Sequence, residues 1–203
     1  MNRLIATTVV AFISVTSAVA ADFGDPAKAR PVANQICAAC HGADGISALP
    51  MNPSLAGQHP EYLFKQLNEF KSGSRNNAVM MGMVAGLSAG DMRNLAAYYA
   101  AQKPSESAAK DKDLVAQGRK LFRGGNVATG VAACAGCHSP NGAGIPSQYP
   151  RLAGQHPEYV VAQLKAFRAG ERANDSNNMM RAVAARLTDK EIAAVAEYLS
   201  GLR

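Results

Sequence analysis

Two short segments of this 203-residue chain place two thiols and an imidazole within five positions: CAACHG at 37–42 and CAGCHS at 134–139. In C-x-x-C-H the cysteines lie one helical turn apart, so both can form thioethers with the vinyl groups on one edge of a porphyrin. The histidine that follows directs its imidazole under the same ring, where a nitrogen can bind the iron. The sequence therefore predicts two covalently bound haem c groups. The residues are Cys37, Cys40, Cys134 and Cys137 for attachment, with His41 and His138 as iron ligands.

Three other uses of paired cysteines explain less of the pattern. A structural zinc site would have to join pairs that lie 94 residues apart, far beyond zinc-finger spacing. A thioredoxin-like dithiol belongs in a βαβ unit, and the sequence has no β-rich runs. Two disulfides would leave both histidines without a role.

Internal repetition predicts a duplicated domain. A shift of 97 positions carries the first C-x-x-C-H onto the second. The same shift carries LAGQHPEY at 55–62 onto an identical LAGQHPEY at 152–159. Eight identical residues in fixed register with the attachment motif indicate two copies of one domain.

Each half is predicted to be a small helical domain around its haem, which makes the fold all-α. The linker QKPSESAAKDKD is polar and contains proline, so we expect domains at 21–107 and 108–203 with a boundary near Ser107. Three helices are expected in each half, because proline starts, glycine ends, capping boxes and apolar spacing recur in matched segments. These segments are 25–41 with 111–125, 60–73 with 157–170, and 88–102 with 188–202.

The second axial position of each iron could be filled by methionine, by a spare histidine or by no protein group. Counting back seven positions from Leu87 and from Leu187, just before the last predicted helices, gives Met80 and Met180. A methionine by itself is more often a core filler, but matched register in both halves favours ligation. Met80 and Met180 are therefore the predicted axial ligands. The alternatives are Met83 and Met179.

Four further residues recur in register near the motifs. His59 and His156 precede prolines, where they would act as helix N-caps or contact a haem propionate; bis-histidine ligation is the alternative. Only 18 residues separate His59 from His41, which makes the opposite face of the haem hard to reach, so we expect a structural role. Pro53 and Pro150 either accept, through their carbonyls, a hydrogen bond from the histidine nitrogen that does not bind iron, or serve only as rigid turns, and the sequence does not separate the two.

The first twenty residues are typical of a secretory signal peptide. They contain one charge, Arg3, then an apolar middle, and end in Ala18-Val19-Ala20. A membrane anchor is the rival interpretation, but five Ser and Thr residues dilute the apolar run. We expect residues 1–20 to be removed before Ala21 and the mature protein to be exported.

The whole mature chain resembles the dihaem cytochrome c4 family, two class I cytochrome c domains in tandem. The resemblance rests on both attachment motifs, the paired LAGQHPEY blocks, LFRGG at 121–125, MMGM at 80–83 and MMRAVAARL at 179–187. It implies His–Met ligation of both irons and domains packed face to face with haem propionates near the interface. It also implies electron transfer in the bacterial periplasm between partners such as a cytochrome bc complex and a haem-copper terminal oxidase, with peripheral association at the inner membrane.

Charge is distributed unevenly between the halves. Residues 21–107 contain seven Lys and Arg against seven Asp and Glu, whereas residues 108–203 contain thirteen against eight. A basic second half could steer docking onto an acidic partner or an anionic surface, or could simply keep the protein soluble. Dispersed basic residues and export argue against nucleic acid. The rival functions are a dihaem enzyme of the peroxidase or thiol- and thiosulfate-oxidising type, a gas-binding module, and a subunit of a larger complex.

Overall fold

A computed structural model describes residues 23–203, which fold into helices joined by loops. In this part of the chain, strand pairing is limited to two isolated bridges in loops of the second half. The predicted all-α fold is confirmed. The predicted signal peptide at 1–20 lies outside the described residues.

The described helices of the first half are short, with four to thirteen residues each. The first runs through a π-helical turn into the helix that carries Cys40 and His41, so the attachment motif ends a continuous helical segment. The helices are α1 (Pro26–Val32), the π-helical turn Ala33–Cys37, α2 (Ala38–His41), α3 (Pro60–Ser72), α4 (Ala78–Val84) and α5 (Ala89–Ala100).

The second half repeats this order with two changes: a loop separates its first helix from the attachment motif, and a 3₁₀ turn precedes its fourth helix. The helices are α6 (Lys112–Gly124), α7 (Ala135–His138), α8 (Pro157–Ala169), a 3₁₀ turn (Ser176–Asn178), α9 (Met179–Ala184) and α10 (Asp189–Ser200).

The predicted helix signals work as expected, but the count of three helices per half was too low. Helices α3 and α8 begin at proline and end before Gly73 and Gly170, both in the left-handed conformation. Capping boxes begin α5 and α10, at Ser88 and Thr188. The additional helices α4 and α9 span seven and six residues, too few for hydrophobic periodicity to be read.

Each half has its own hydrophobic core, built where the last helix crosses the other two. In the first half α5 packs on α1 and α3; in the second, α10 packs on α6 and α8. The crossing of α6 and α10 is very close, because a Cβ on Gly118 would lie 2.0 Å from the Ala194 carbonyl oxygen. These crossings hold the last helix of each half behind the attachment motif.

The segment between α5 and α6 packs against both halves. A Cβ on Gly57 would lie 2.3 Å from Pro104 Cγ, and one on Gly154 would lie 2.5 Å from the Ser105 carbonyl oxygen. The linker therefore follows the surface of both domains, while the boundary near Ser107 stays a prediction. Within residues 23–203, every helix is too short or too polar to cross a bilayer.

Candidate haem sites and the interface between them

The four cysteines are placed as two matched pairs of free thiols, with no disulfide among the described residues. In each pair one thiol faces inward and one faces solvent. Cys37 and Cys134 are partly buried against the cores of their halves, whereas Cys40 and Cys137 are exposed. Each pair therefore lies at the edge of the core of its half, which suits attachment to one edge of a flat ring.

The inner thiols are unsuited to dithiol redox chemistry. Burial raises the pKa of Cys37, and it raises the pKa of Cys134 to about 11. Reactive cysteines of thioredoxin-like enzymes have lowered pKa values, because the thiolate is the nucleophile. These environments therefore disfavour the dithiol alternative.

Both motif histidines have a fixed orientation. The Nδ1–H of His41 donates to the Pro53 carbonyl at 2.9 Å, and that of His138 donates to Pro150 at 3.0 Å. Of the two roles considered for the prolines, the acceptor role is thus present. Each ring keeps Nε2 available for iron, and burial lowers the pKa of both imidazoles, which favours the neutral form that binds metal.

The methionines differ in exposure in a way that follows the predicted register. Met80 is partly buried and packs against the core of the first half, whereas Met83 is 46% exposed. Met180 is partly buried, whereas Met179 is 37% exposed. The Tyr149 hydroxyl lies 3.8 Å from the Met179 sulfur, to which it donates. Met80 and Met180 remain the favoured axial ligands, and the assignment is still a prediction.

One buried hydroxyl of the first half lies beside the attachment motif. The Tyr99 side chain is 3% exposed, and its hydroxyl has no oxygen or nitrogen partner within the described part of the chain. It lies beside the Cys37 thiol, and burial raises the pKa of this tyrosine. Together with the thiol pair and the available imidazole nitrogen, this wall fits a large bound group such as a haem.

The histidines of the repeated block hold the two halves together. His59 Nε2 bonds the Ala143 carbonyl at 2.9 Å, and His156 Nε2 bonds the Ser47 carbonyl at 2.8 Å. Both histidines occupy the expected N-cap positions, of α3 and α8, but their side chains make no cap hydrogen bond and instead contact the other half. A ring nitrogen engaged across the interface is also poorly placed for bis-histidine ligation.

A pair of glutamines makes the second set of reciprocal contacts. Gln58 donates to the Arg151 carbonyl at 2.9 Å and accepts from the Arg151 N–H at 2.8 Å. Gln155 does the same with Ser54, at 3.0 and 2.9 Å. Gln58 and Gln155 are 97 positions apart, as are Ser54 and Arg151, so the interface has approximate two-fold symmetry.

The centre of this interface contains two buried guanidinium groups that the sequence did not reveal. Arg75 donates to Tyr159 at 3.0 Å and to Gln163 at 2.9 Å across the interface. Arg172 donates to Tyr62 at 3.0 Å and to Gln66 at 3.1 Å in the opposite sense. Each arginine is 8% exposed and stacks on a phenylalanine of its own half at 4.5 Å, Phe70 or Phe167.

These arginines also carry a net positive charge into the interface. Burial would raise the pKa of the partly buried Tyr62, but the two guanidinium groups outweigh it and lower that pKa. Glu69 is a nearby carboxylate. Buried charges normally require counter-charges.

The chain matches known haem proteins over nearly its full length. The model of the cytochrome c family matches residues 27–103 and again residues 115–203. Cytochrome c4 of Azotobacter vinelandii is 48% identical, over 88% of this chain and 90% of its own. A thiosulfate dehydrogenase electron acceptor of Thiomonas intermedia is 41% identical, over 85% of this chain and 81% of its own.

A solved structure shares the fold as well. The crystal structure of reduced recombinant cytochrome c4 from Pseudomonas stutzeri has a TM-score of 0.85 and is 44% identical to this chain. The match covers 89% of this chain and all of that one. The paired domains and the interface between them therefore have a precedent in a solved haem protein.

Proposed function

This chain belongs to the cytochrome c family, and within it to the cytochrome c4 proteins, and on that basis we propose that it carries single electrons between components of a respiratory chain. It is a dihaem electron-transfer protein with two covalently bound haem c groups. Bound haem supplies an iron that changes between ferrous and ferric states. The chain's own residues decide how that iron is held and what can reach it.

We infer that His41 and Met80 ligate the first iron and that His138 and Met180 ligate the second. The proposal is supported by the neutral, oriented imidazoles and by the partial burial of these two methionines in both halves. Two protein ligands leave no open position for substrate, so each site can exchange electrons without exchanging ligands. Methionine sulfur also favours the ferrous form and raises the reduction potential.

The proposed partners are a cytochrome bc complex as donor and a haem-copper terminal oxidase as acceptor. We propose a periplasmic location after removal of residues 1–20, with peripheral association at the inner membrane. The basic second half, with thirteen Lys and Arg against eight Asp and Glu, would assist docking to acidic surfaces. The single observation that carries the proposal is the repetition of one complete ligand set in both halves.

A second candidate function is acceptance of electrons from thiosulfate oxidation. The observation that favours it is the similarity to the Thiomonas intermedia protein and to a second thiosulfate dehydrogenase electron acceptor, from Stutzerimonas stutzeri, at 38% identity. The same two irons would serve, and only the donor would differ. This candidate keeps the chain an electron carrier and places the enzyme activity on the partner.

Reduction kinetics of the oxidised holoprotein test both functions. It should be reduced by quinol with bc-complex membranes and reoxidised by terminal oxidase, with both haems low-spin throughout. Reduction by thiosulfate plus its dehydrogenase, but not by the bc complex, would favour the second candidate. Carbon monoxide binding to the native ferrous protein would contradict both, because it requires an open axial position.

A further inference from the structure

The approximate two-fold symmetry of the interface is broken beside Met180. The symmetric contacts end with Arg75 and Arg172. Two residues beyond Arg172, Asn174 turns towards helix α3 of the first half. The equivalent residue of the first half, 97 positions earlier, is Asn77, which stays within its own domain and accepts from the Met80 N–H at 2.9 Å.

An ion pair on α3 holds this asymmetric contact. Lys65 donates to the Asn174 carbonyl at 2.7 Å, and Asn174 donates from its side chain to Glu69 at 2.6 Å. Lys65 and Glu69 also pair with each other at 2.7 Å. The equivalent residues of α8 are Ala162 and Ala166, which cannot make such contacts with the segment that carries Met80.

An ion pair between Asp175 and Arg181 connects the region of Asn174 to Met180. Asp175 is the next residue, and its side chain is 5% exposed. Its carboxylate accepts from the Arg181 N–H at 3.0 Å and from Arg181 Nε at 2.7 Å. Arg181 directly follows Met180. The loop 174–181, which includes the 3₁₀ turn and the start of α9, is therefore fixed at both ends, one of them by the first domain.

We propose that Lys65 and Glu69 of the first domain are positioning residues for Met180 of the second domain. This inference rests on the proposed ligation by Met180 and goes beyond it, because it links one haem's axial ligand to the other haem's domain. Loosening the loop would weaken the methionine bond and lower the potential of the second haem, since methionine sulfur favours the ferrous state. The first haem lacks an equivalent restraint and would not respond.

The experiment compares two double variants of the holoprotein. Lys65→Ala/Glu69→Ala removes both members of the α3 ion pair that contacts Asn174 across the interface, so no unpaired charge is left behind. Lys103→Ala/Glu106→Ala removes another close ion pair, at 2.6 Å and exposed, as the matched control. The readouts are the two reduction potentials, the red charge-transfer band of methionine-ligated ferric haem, and the rate of imidazole binding to each ferric haem. Met180→His identifies the signals of the second haem.

The first double variant should lower the potential of the second haem alone and increase its rate of imidazole binding at least about tenfold, because Asn174 loses two charge-assisted contacts. Glu69→Gln, which keeps an oxygen acceptor for Asn174, should restore most of the native behaviour. Equal shifts of both haems, or none, would overturn the proposal while ligation by Met180 stands. If Met180→His changes neither spectrum, the ligand assignment fails and the positioning role fails with it.

Discussion

Gln58 and Gln155 make the same pair of hydrogen bonds in opposite directions, each to the backbone N–H and carbonyl of one residue in the other domain. A side-chain amide used in this way imitates a β-ladder contact, with one donor and one acceptor matched to a peptide unit. These directional contacts thus hold the two domains together close to both attachment motifs. This arrangement fixes the separation and relative orientation of the two haem sites.

Replacing Gln58 with alanine should therefore destabilise the protein. The N–H and carbonyl of Arg151 would lose their partners in a partly buried position, at a cost of about 1–3 kcal/mol in the free energy of unfolding. Denaturant unfolding followed by haem absorbance and circular dichroism measures the loss. Gln102→Ala is the control, because that amide donates to the Tyr98 carbonyl within its own half. Equal stability of the two variants would argue against a structural role for the glutamine pair.

Substituting the proposed axial methionines should affect one haem at a time. Met80→Ala is expected to remove the methionine-to-iron charge-transfer band of the first haem and lower its potential, because methionine stabilises the ferrous iron. Met180→Ala should do the same for the second haem. Spectroelectrochemical titration at the α-band resolves the two, with Met83→Ala and Met179→Ala as controls. A larger effect of either control would transfer the ligand assignment to that residue.

The linker contact can be separated from simple backbone strain by two glycine substitutions. Gly154 and Gly170 both have positive φ, 76° and 77°, so alanine is strained at both positions. A Cβ at Gly154 also meets the Ser105 carbonyl at 2.5 Å, whereas Gly170 has open space. Both variants should lose about 1–2 kcal/mol from the left-handed backbone, and Gly154→Ala should lose more, as a lower midpoint of thermal unfolding. Identical midpoints would mean that the linker moves away from the new Cβ without loss of stability.

Acid should weaken the contact between Asp175 and Arg181, the residue that follows Met180 on α9. Burial alone would raise the pKa of Asp175, but hydrogen bonds from the backbone and side chain of Arg181 outweigh it and hold that pKa below its usual value. A carboxylate with a lowered pKa stabilises the fold above its unfolded pKa of about 3.9, and this stability is lost as the pH falls through the folded value. Asp175→Asn should therefore be less stable than the native protein at pH 7, by about 1–2 kcal/mol.

The difference should shrink below about pH 4, where the native carboxylate becomes protonated. Thermal unfolding from neutral to acid pH follows both proteins, with Glu171→Gln as an exposed control in the same half. A stability difference that stays constant with pH would show that Asp175→Asn destabilises the protein through altered packing and not through the lost charge.

Much of each haem site could be predicted because its chemistry is local in sequence. The thiols and imidazole of one site occupy five consecutive positions, and a single helical turn brings them together. The proline acceptors lie 12 residues further along, at Pro53 and Pro150, and the 97-residue repeat marked both. The methionines could be selected because the last helix of each half supplied a fixed register.

The interface could not be predicted in the same way, because its contacts join residues 84 to 110 positions apart. Arg75 and Arg172 look like ordinary surface arginines, and only packing of the two halves buries them. One signal was available in the sequence: Gln58 and His59 recur unchanged in the second half although neither lies on an apolar helix face. Polar identity between repeats, outside the attachment motif, pointed to a surface that both copies share.

The matched contacts across the interface are those that a single-haem subunit would make with a second copy of itself, since an isologous surface needs only one patch. Joining both copies in one polypeptide makes that association intramolecular, so it persists however dilute the protein becomes. Joining also allows the two copies to diverge in sequence. They have done so at Ala162 and Ala166, which are equivalent to Lys65 and Glu69 of the first half. Two identical subunits could not carry such a contact in one copy and lack it in the other.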